Sequence, residues 1–362
     1  MSNSRRIAVI VCLLPAMVFA CLWDSDTIRD EAQARPSLLE LVTGRLPHHG
    51  TDYYETRVKR LEPKNDRSPK ETNDLAVALI RIARFDAAQV LLEAQLADEP
   101  DSYITLSNLG VLHKKQGDFA RGADYIRKAL GIKPEGHMGL GDWYEKALTW
   151  RAQCTTNTSP PKVDFLGEAY DEIKSPISHN FRPLTAERKK RFDKLQNLLR
   201  NDQSFADGFL VMGDFLVMIG DLHLGTISYY RSLQLQHPNP GMVNRRINMV
   251  ENHWREGSLR SDKWTSRDKA EKLISAGKSW VVNFQMKESV LVALGEMPDF
   301  KTVQATMTDS KRELPLLDPK IFPESEKGSP FLSPGTYILA AGMAGLIALG
   351  AVIFWLRSKW KR

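Results

Sequence analysis

The sequence predicts an all-α protein, a solenoid of stacked helical hairpins followed by one C-terminal transmembrane helix. Residues 69–102 and 103–136 align position by position, without a gap. Each of these units closes on a proline, Pro100 or Pro134, and residues 337–356 form an uninterrupted uncharged stretch. A period of about 20 to 50 residues is typical of repeat architectures. The first two observations therefore predict the solenoid, and the third predicts the membrane span.

Residues 69–136 predict two helical hairpins. Each unit has two runs of helix-forming residues, joined at residues 84–86 in the first unit and 118–120 in the second. Small residues recur at equivalent positions, where the paired helices approach closely; the pairs are Ala76/Gly110 and Ala88/Gly122. A closing proline ends the second helix, because proline lacks an amide proton and disfavours helical backbone in the residue before it.

A third copy of the unit is predicted at residues 206–239. It carries small residues and a tyrosine at the corresponding positions, namely Gly213, Gly220, Gly225 and Tyr229. Its closing proline is shifted by one position, to Pro238. Residues 240–309 predict further helices that close the stack, because one repeat cannot bury its apolar face alone.

The segment between the second and third copies, residues 137–205, is predicted to be a partial repeat with an insertion. Residues 137–151 place apolar side chains at helical spacing, like the first helix of a unit. Residues 153–185 are instead rich in Thr, Ser, Pro and Asn, which indicates an insertion or a long loop. A helix is then predicted from about residue 185 to residue 201.

The two ends of the chain predict export and membrane anchoring. Residues 1–20 combine a short basic start, an apolar run and a Val-Phe-Ala cleavage site, as in a signal peptide. Residues 335–356 are long enough to cross a bilayer as a helix. The basic tail at 357–362 then lies in the cytoplasm by the positive-inside rule. The chain is therefore predicted to be single-pass, with its N-terminal domain on the exported, periplasmic or extracytoplasmic side.

Two further segments flank the repeats. Residues 21–68 are predicted to form an N-terminal cap or extension with two short helices that cover the first repeat. Residues 310–334 contain five prolines among charged and small residues, which favours a stiff linker between the repeats and the membrane.

A unit of about 34 residues with these features resembles the tetratricopeptide repeat (TPR). The shared features are an early small residue, a small-then-aromatic turn, a second small residue and the closing proline. The resemblance implies a solenoid whose first helices line a concave groove that binds protein partners. The groove positions implied for this chain are Asn73, Val77, Ser107, Asn108, Val111 and Lys114. For the valines at 77 and 111, an alternative role is packing between repeats.

Charge gives no support for nucleic-acid binding. The chain has 50 basic and 44 acidic residues, and the excess of six basic residues lies in the two topogenic ends. The exported part has equal numbers of basic and acidic residues, so it has no excess positive charge to bind a phosphate backbone. No Gly-rich phosphate loop, HExxH, GxSxG or CxxC motif is present, and the adjacent His48 and His49 have no metal-ligand spacing. We therefore predict no catalytic residue, no metal site and no cofactor.

Cysteines at positions 21 and 154 leave three alternatives open. The Val-Phe-Ala-Cys sequence that ends at Cys21 resembles a bacterial lipoprotein box, although Phe19 departs from the usual small residue. In an oxidising compartment Cys21 and Cys154 are also a candidate disulfide. The third alternative is that both thiols are free.

The sequence thus predicts a membrane-anchored protein-interaction scaffold in a cell envelope, with a protein partner of unknown identity and no intrinsic catalysis. The lipid bilayer is its second partner, through the C-terminal helix. A bacterial envelope is favoured over a eukaryotic secretory membrane. The alternative function is an envelope enzyme whose active site is built from residues 22–68 and 153–185.

Overall fold

The computed structural model describes residues 36–170, 185–256 and 264–307. The predicted signal peptide, Cys21, the proline-rich linker and the predicted membrane span lie outside these residues. The described helices are α1 (Leu38–Thr43), α2 (Thr51–Leu61), α3 (Pro69–Arg81), α4 (Phe85–Asp98), α5 (Tyr103–Gln116), α6 (Phe119–Ile132), α7 (Gly136–Gly139), α8 (Gly141–Thr156), α9 (Ala186–Asn201), α10 (Ala206–Met218), α11 (Leu222–Gln234), α12 (Pro240–Glu256), α13 (Arg267–Ala293) and α14 (Phe300–Thr306).

Helices dominate the described residues, which confirms the all-α class. The β-structure in these ranges is one isolated bridge, between Val163 and Ala169. None of the helices in the described ranges has both the length and the hydropathy that a membrane crossing requires.

Three helical hairpins, α3–α4, α5–α6 and α10–α11, repeat the same backbone geometry. The helices of the first two hairpins begin at equivalent positions of the alignment, with Pro69 matched to Tyr103 and Phe85 matched to Phe119. The first helix of each hairpin is followed by a left-handed residue at the equivalent position; φ is 61° at Ala83, 84° at Gly117 and 93° at Gly220. The period in the sequence therefore corresponds to a structural repeat, in which the helices begin at equivalent positions and the turn has the same conformation.

Small residues lie where the two helices of a hairpin cross, as the alignment predicts. A Cβ atom on Gly122 would lie 3.0 Å from the carbonyl oxygen of Gly110. In the third hairpin, a Cβ atom on Gly225 would lie 3.2 Å from the carbonyl oxygen of Gly213. Larger side chains at these positions would separate the helices, because each Cβ atom would press on backbone of the facing helix, and at Gly225 also on the side chain of Val217.

Replacing Ala83 with Gly is expected to raise the free energy of unfolding by about 0.5–1 kcal/mol. The positive φ of Ala83 is strained for a residue with a Cβ atom, and relief of this strain exceeds the added entropy of glycine in the unfolded chain. Urea unfolding of the two proteins measures the change. The reciprocal control is Gly117→Ala at the equivalent turn, which should destabilise the protein. A destabilising Ala83→Gly substitution would contradict this explanation.

The described part of the insertion, residues 157–170, packs on its neighbours, although its composition predicts an insertion or a long loop. Helix α8 packs against α6 and continues to Thr156, five residues beyond residue 151, where the first helix of the partial repeat is predicted to end. In the segment that follows, residues 157–170, the side chains of Phe165 and Tyr170 are buried. The helix predicted from residue 185 is confirmed as α9.

The N-terminal segment connects the first and third hairpins. Helix α2 packs against α3, in agreement with the predicted cap on the first repeat. Helix α1 packs instead on α11 and α13, so its predicted location on the first repeat is wrong. The physical reason is Gly277 in α13, where a Cβ atom would lie 2.4 Å from the carbonyl oxygen of Thr43. The missing side chain lets the end of α1 contact the backbone of α13.

Helix α13 contacts both the N-terminal segment and the last described segment. Its side chains Trp280, Val281 and Phe284 pack with three residues of the last segment, Phe300, Val303 and Met307. Next to this cluster, the buried carboxylate of Glu288 pairs with the imidazole of His49 and accepts a 2.7 Å hydrogen bond from the backbone N–H of Gly50. These contacts join the N-terminal segment to a helix near the end of the described chain.

Candidate partner-binding site

All six residues that the TPR resemblance places in a groove are buried. Their exposed fractions do not exceed 9%. In this structure they therefore do not form an open binding surface, and the prediction for Asn73, Val77, Ser107, Asn108, Val111 and Lys114 is corrected to internal packing.

The two asparagines of this set hold α3 against α5. The side-chain amide of Asn108 donates to Oδ1 of Asn73 at 3.0 Å, and the amide of Asn73 donates to the hydroxyl of Thr105 at 3.2 Å. Val77 and Val111 are 1% and 4% exposed. The alternative role, packing between repeats, is therefore the one that the structure supports for both valines.

Lys114 belongs to a buried charge cluster at the end of α5. Its Nζ lies 2.8 Å from Oδ2 of Asp202, and Nη1 of Arg151 lies 3.2 Å from the same oxygen. Burial lowers the pKa of Lys114 to about 8. Burial disfavours the Asp202 carboxylate as well, but Arg151 and Lys114 hold its pKa below the usual range. A lysine used in this way is a structural partner of Asp202.

A second buried polar cluster centres on Asp207 in α10, whose side chain is fully buried. Its Oδ2 accepts a 2.7 Å hydrogen bond from the backbone N–H of Phe165, and its Oδ1 accepts hydrogen bonds from the hydroxyl of Tyr170 and from His237. The backbone N–H of Asn239 donates to Nδ1 of His237 at 3.0 Å. Nδ1 therefore has no proton of its own, and Nε2 donates to Asp207 at 3.0 Å.

The Asp207 cluster fixes the insertion to the third hairpin and to α12. Two of its donors, the Phe165 amide and the Tyr170 hydroxyl, come from the insertion. The backbone carbonyl of Tyr170 also accepts a 2.8 Å hydrogen bond from Arg246, whose Nε donates to Asp214 at 3.0 Å. Burial and the neighbouring carboxylate of Asp207 raise the pKa of Tyr170, so its hydroxyl remains a donor.

We expect the carboxyl group of Asp164 to contribute a fall in the free energy of unfolding as pH rises from about 4 to about 7. Burial, followed by the charge of Asp207, raises the pKa of Asp164 to about 7. The folded state therefore binds more protons than the unfolded state in this interval, and one such group contributes a slope of at most about 1.4 kcal/mol per pH unit. Urea unfolding across this pH interval measures the slope.

Asp164→Asn is the matched variant for this pH dependence. Its two backbone contacts, from the N–H groups of Leu166 and Glu168 to Oδ1 of Asp164, can be kept by an amide oxygen. The variant should show a flatter profile between pH 4 and 7 because position 164 no longer titrates. An unchanged slope would mean that another group causes the pH dependence.

An open cleft lies between the end of α8 and the insertion. Its volume is about 370 Å³. The indole N–H of Trp150 donates to the backbone carbonyl of Val163 at 2.9 Å and so fixes one side of the cleft. The lining combines apolar and amide side chains; it consists of Trp150, Gln153, Cys154, Asn157, Thr158, Ser159, Pro160, Pro161, Lys162 and Val163.

Cys154 lines this cleft but has no activating partner in the described residues. Burial, followed by the charge of Asp207, raises the pKa of its thiol to about 11. A nucleophilic cysteine needs the opposite shift or an adjacent base. The buried imidazole of His237 is occupied at both ring nitrogens, by Asp207 and by the N–H of Asn239. Pairing or lipidation involving Cys21 concerns a residue outside the described ranges and stays a prediction.

The described parts of the two segments of the alternative enzyme site share contacts with one helix, α9, and otherwise pack on different helices. Helix α1 packs on α9, and Arg191 of α9 pairs with Glu168 of the insertion. Residues 36–68 also contact α3, α11 and α13 through α1 and α2. Residues 157–170 are bonded to α8, α10 and α12 through Trp150, Asp207 and Arg246. Over the ranges that the structure describes, no group of three His, Cys, Asp or Glu side chains is arranged to hold a metal ion.

Comparisons with known protein families, with curated proteins and with solved structures found no match. Function is therefore inferred from the residues and the geometry of this chain alone.

Proposed function

We propose that this chain is a TPR-like helical scaffold that is anchored in a membrane, faces the exported side and binds another protein. The observation that carries the proposal is the repeated hairpin. The left-handed turn recurs at Ala83, Gly117 and Gly220, and the helices cross at small residues, as a stack of such units requires. Stacked helical repeats commonly serve as extended binding surfaces.

The location in the proposal rests on the two ends of the sequence. Residues 1–20 have the pattern of an export signal, and residues 337–356 are uncharged and followed at once by basic residues. A chain with these ends is held at the membrane surface with its hairpins on the exported side.

We place the partner in the cleft between α8 and the insertion. The six groove positions are buried, so a partner needs another surface. The cleft offers apolar contact at the exposed side chains of Pro160 and Val163, and Gln153, Asn157 and Lys162 line it with exposed polar groups. Apolar contact beside adaptable hydrogen-bonding groups suits an extended segment of another protein.

The insertion holds this cleft in a fixed shape. Its backbone is bonded to Asp207 and, through Trp150, to α8. A preformed cleft binds with less ordering of its own side chains, so less of the interaction free energy is lost.

Chemical crosslinking of the full-length chain in its native cells, followed by mass spectrometry, tests the proposal. The wild type is compared with Val163→Asp in the cleft and with Val90→Asp on α4. Both valines are exposed, at 39% and 68%, so neither substitution removes core packing. We expect one protein to be captured by the wild type and by Val90→Asp, and to be lost from Val163→Asp.

Equal capture by all three proteins would contradict the placement of the partner in this cleft. If no protein is captured specifically by any of them, the scaffold function itself is contradicted. Circular dichroism of the variants at equal concentration checks that each keeps the helical fold.

A further inference from the structure

Helix α13 carries an exposed apolar ridge along its C-terminal half. The ridge consists of Val282, Met286, Val290 and Leu294, with exposed fractions of 57%, 63%, 59% and 73%. These residues are four positions apart, so their side chains follow one another on one face of the helix. At about 1.5 Å per residue the ridge is roughly 18 Å long.

The ridge is not needed for the packing of α13. The opposite face of the helix buries Trp280, Val281 and Phe284 against the last described segment. Contacts with α1 and α2 use Gly277 and Glu288. Isolated exposed apolar residues are common on protein surfaces, whereas a contiguous row of them marks an interaction surface.

The exposed charges that α13 itself places beside the ridge are basic, although Asp52 of α2 is bonded to Ser289, the residue before Val290. Between residues 278 and 295 the exposed charged side chains are Lys278 and Lys287, while Glu288 is buried. The next acid, Glu296, follows the end of the helix. An apolar face bordered by lysines is the pattern of a helix that lies in the interface of an anionic bilayer.

We propose that the ridge of Val282, Met286, Val290 and Leu294 docks on the anionic lipid surface of the membrane that holds the C-terminal segment. This inference rests on the membrane anchoring in the proposed function. The uncharged stretch begins at Tyr337 and Met307 still packs on α13, so residues 308–336 connect that stretch to the described fold. A tether of this kind keeps the ridge at a high effective concentration beside the bilayer, so a weak interfacial contact is sufficient.

The size of the ridge favours lipid over a second copy of the chain. A stable protein interface buries about 800 Å² on each partner, and four partly exposed side chains supply well under that area. Insertion into the lipid interface has no such requirement, because each apolar side chain gains independently on leaving water. The lysines at 278 and 287 also repel their counterparts in a second copy, whereas anionic headgroups attract them.

Depth-dependent quenching in vesicles tests the proposal on the full-length chain. A single cysteine is introduced as Met286→Cys, with the other cysteines replaced by serine, and is labelled with an environment-sensitive fluorophore. Val90→Cys, at a similarly exposed position on α4, is the matched control. The vesicles contain phosphatidylglycerol and a fraction of lipid with bromine on the upper acyl chain.

We expect quenching and a blue shift for the label at position 286 and neither effect for the label at position 90. Replacing Lys278 and Lys287 with Gln should lower the ratio of docked to undocked protein on the order of fivefold for each lysine. The quenching of the label at position 286 should also be weaker in vesicles of neutral lipid alone than in vesicles that contain phosphatidylglycerol.

Flotation of the same vesicles separates the two proposals. If the chain floats with the vesicles but the label at position 286 behaves like the label at position 90, the ridge proposal is overturned while anchoring stands. Excimer emission from pyrene at position 286 would overturn it in favour of a second copy. If the chain does not float at all, both anchoring and docking are overturned.

Discussion

Replacing Asp207 with Ala is expected to lower the free energy of unfolding by about 3–5 kcal/mol. The carboxylate is fully buried and accepts hydrogen bonds from the Phe165 amide, the Tyr170 hydroxyl and the His237 imidazole. Without it three donors stay buried with no acceptor, and each carries its own desolvation penalty. Urea unfolding of the two proteins measures the loss.

Two further variants make this result specific. Tyr170→Phe removes one of the three donors, so we expect a smaller loss of about 1–2 kcal/mol. Asp124→Ala removes an exposed carboxylate that pairs with Arg127 on the surface, and this change should stay within about 0.5 kcal/mol. A loss for Asp207→Ala no larger than that for Asp124→Ala would contradict the assigned role.

Gly277→Val is expected to destabilise the protein by about 3 kcal/mol and to separate α1 from α13. The Cβ atom at this position would lie 2.4 Å from the carbonyl oxygen and 3.0 Å from the carbonyl carbon of Thr43. Both atoms belong to the backbone, so a rotamer change cannot relieve the contact. Hydrogen exchange should show faster exchange of the amides in residues 38–50.

Ser279→Val is the matched control for the effect of valine on helix propensity. Ser279 lies on the exposed face of the same helix, two residues away. The Ser279→Val substitution should lower the free energy of unfolding by no more than about 0.5 kcal/mol. Similar losses for the two variants would show that helix propensity, and not the contact with Thr43, explains the result at position 277.

The hairpins could be predicted from the sequence because their contacts are local. The alignment of the two units pairs Ala83 with Gly117 and Ala88 with Gly122. In the structure Ala83 and Gly117 share the left-handed backbone conformation, and Gly122 lies where the two helices of its hairpin cross. Periodicity and turn residues report such short-range geometry directly.

The candidate site depends on long-range contacts, which the repeat pattern does not show. Lys114 in the second hairpin pairs with Asp202, which follows α9, and His49 pairs with Glu288 in α13. The polar composition of the insertion indicates a loop, and it does not show that the acceptor for this segment is Asp207, in a helix where the other acidic residue is Asp214. The sequence nevertheless contains a signal for this contact. An aspartate within a largely apolar helix is buried only where hydrogen-bond donors or opposite charges surround its carboxylate.

Site-specific photo-crosslinking in native membranes tests the scaffold function most directly. A photoreactive amino acid replaces Lys162 in the cleft or Lys128 on α6, both of which lie at the surface of the described structure. The scaffold account predicts one discrete crosslinked product from position 162, none from position 128, and loss of that product when Val163→Asp is added. A product of equal yield from both positions, or no product from position 162, would contradict the account.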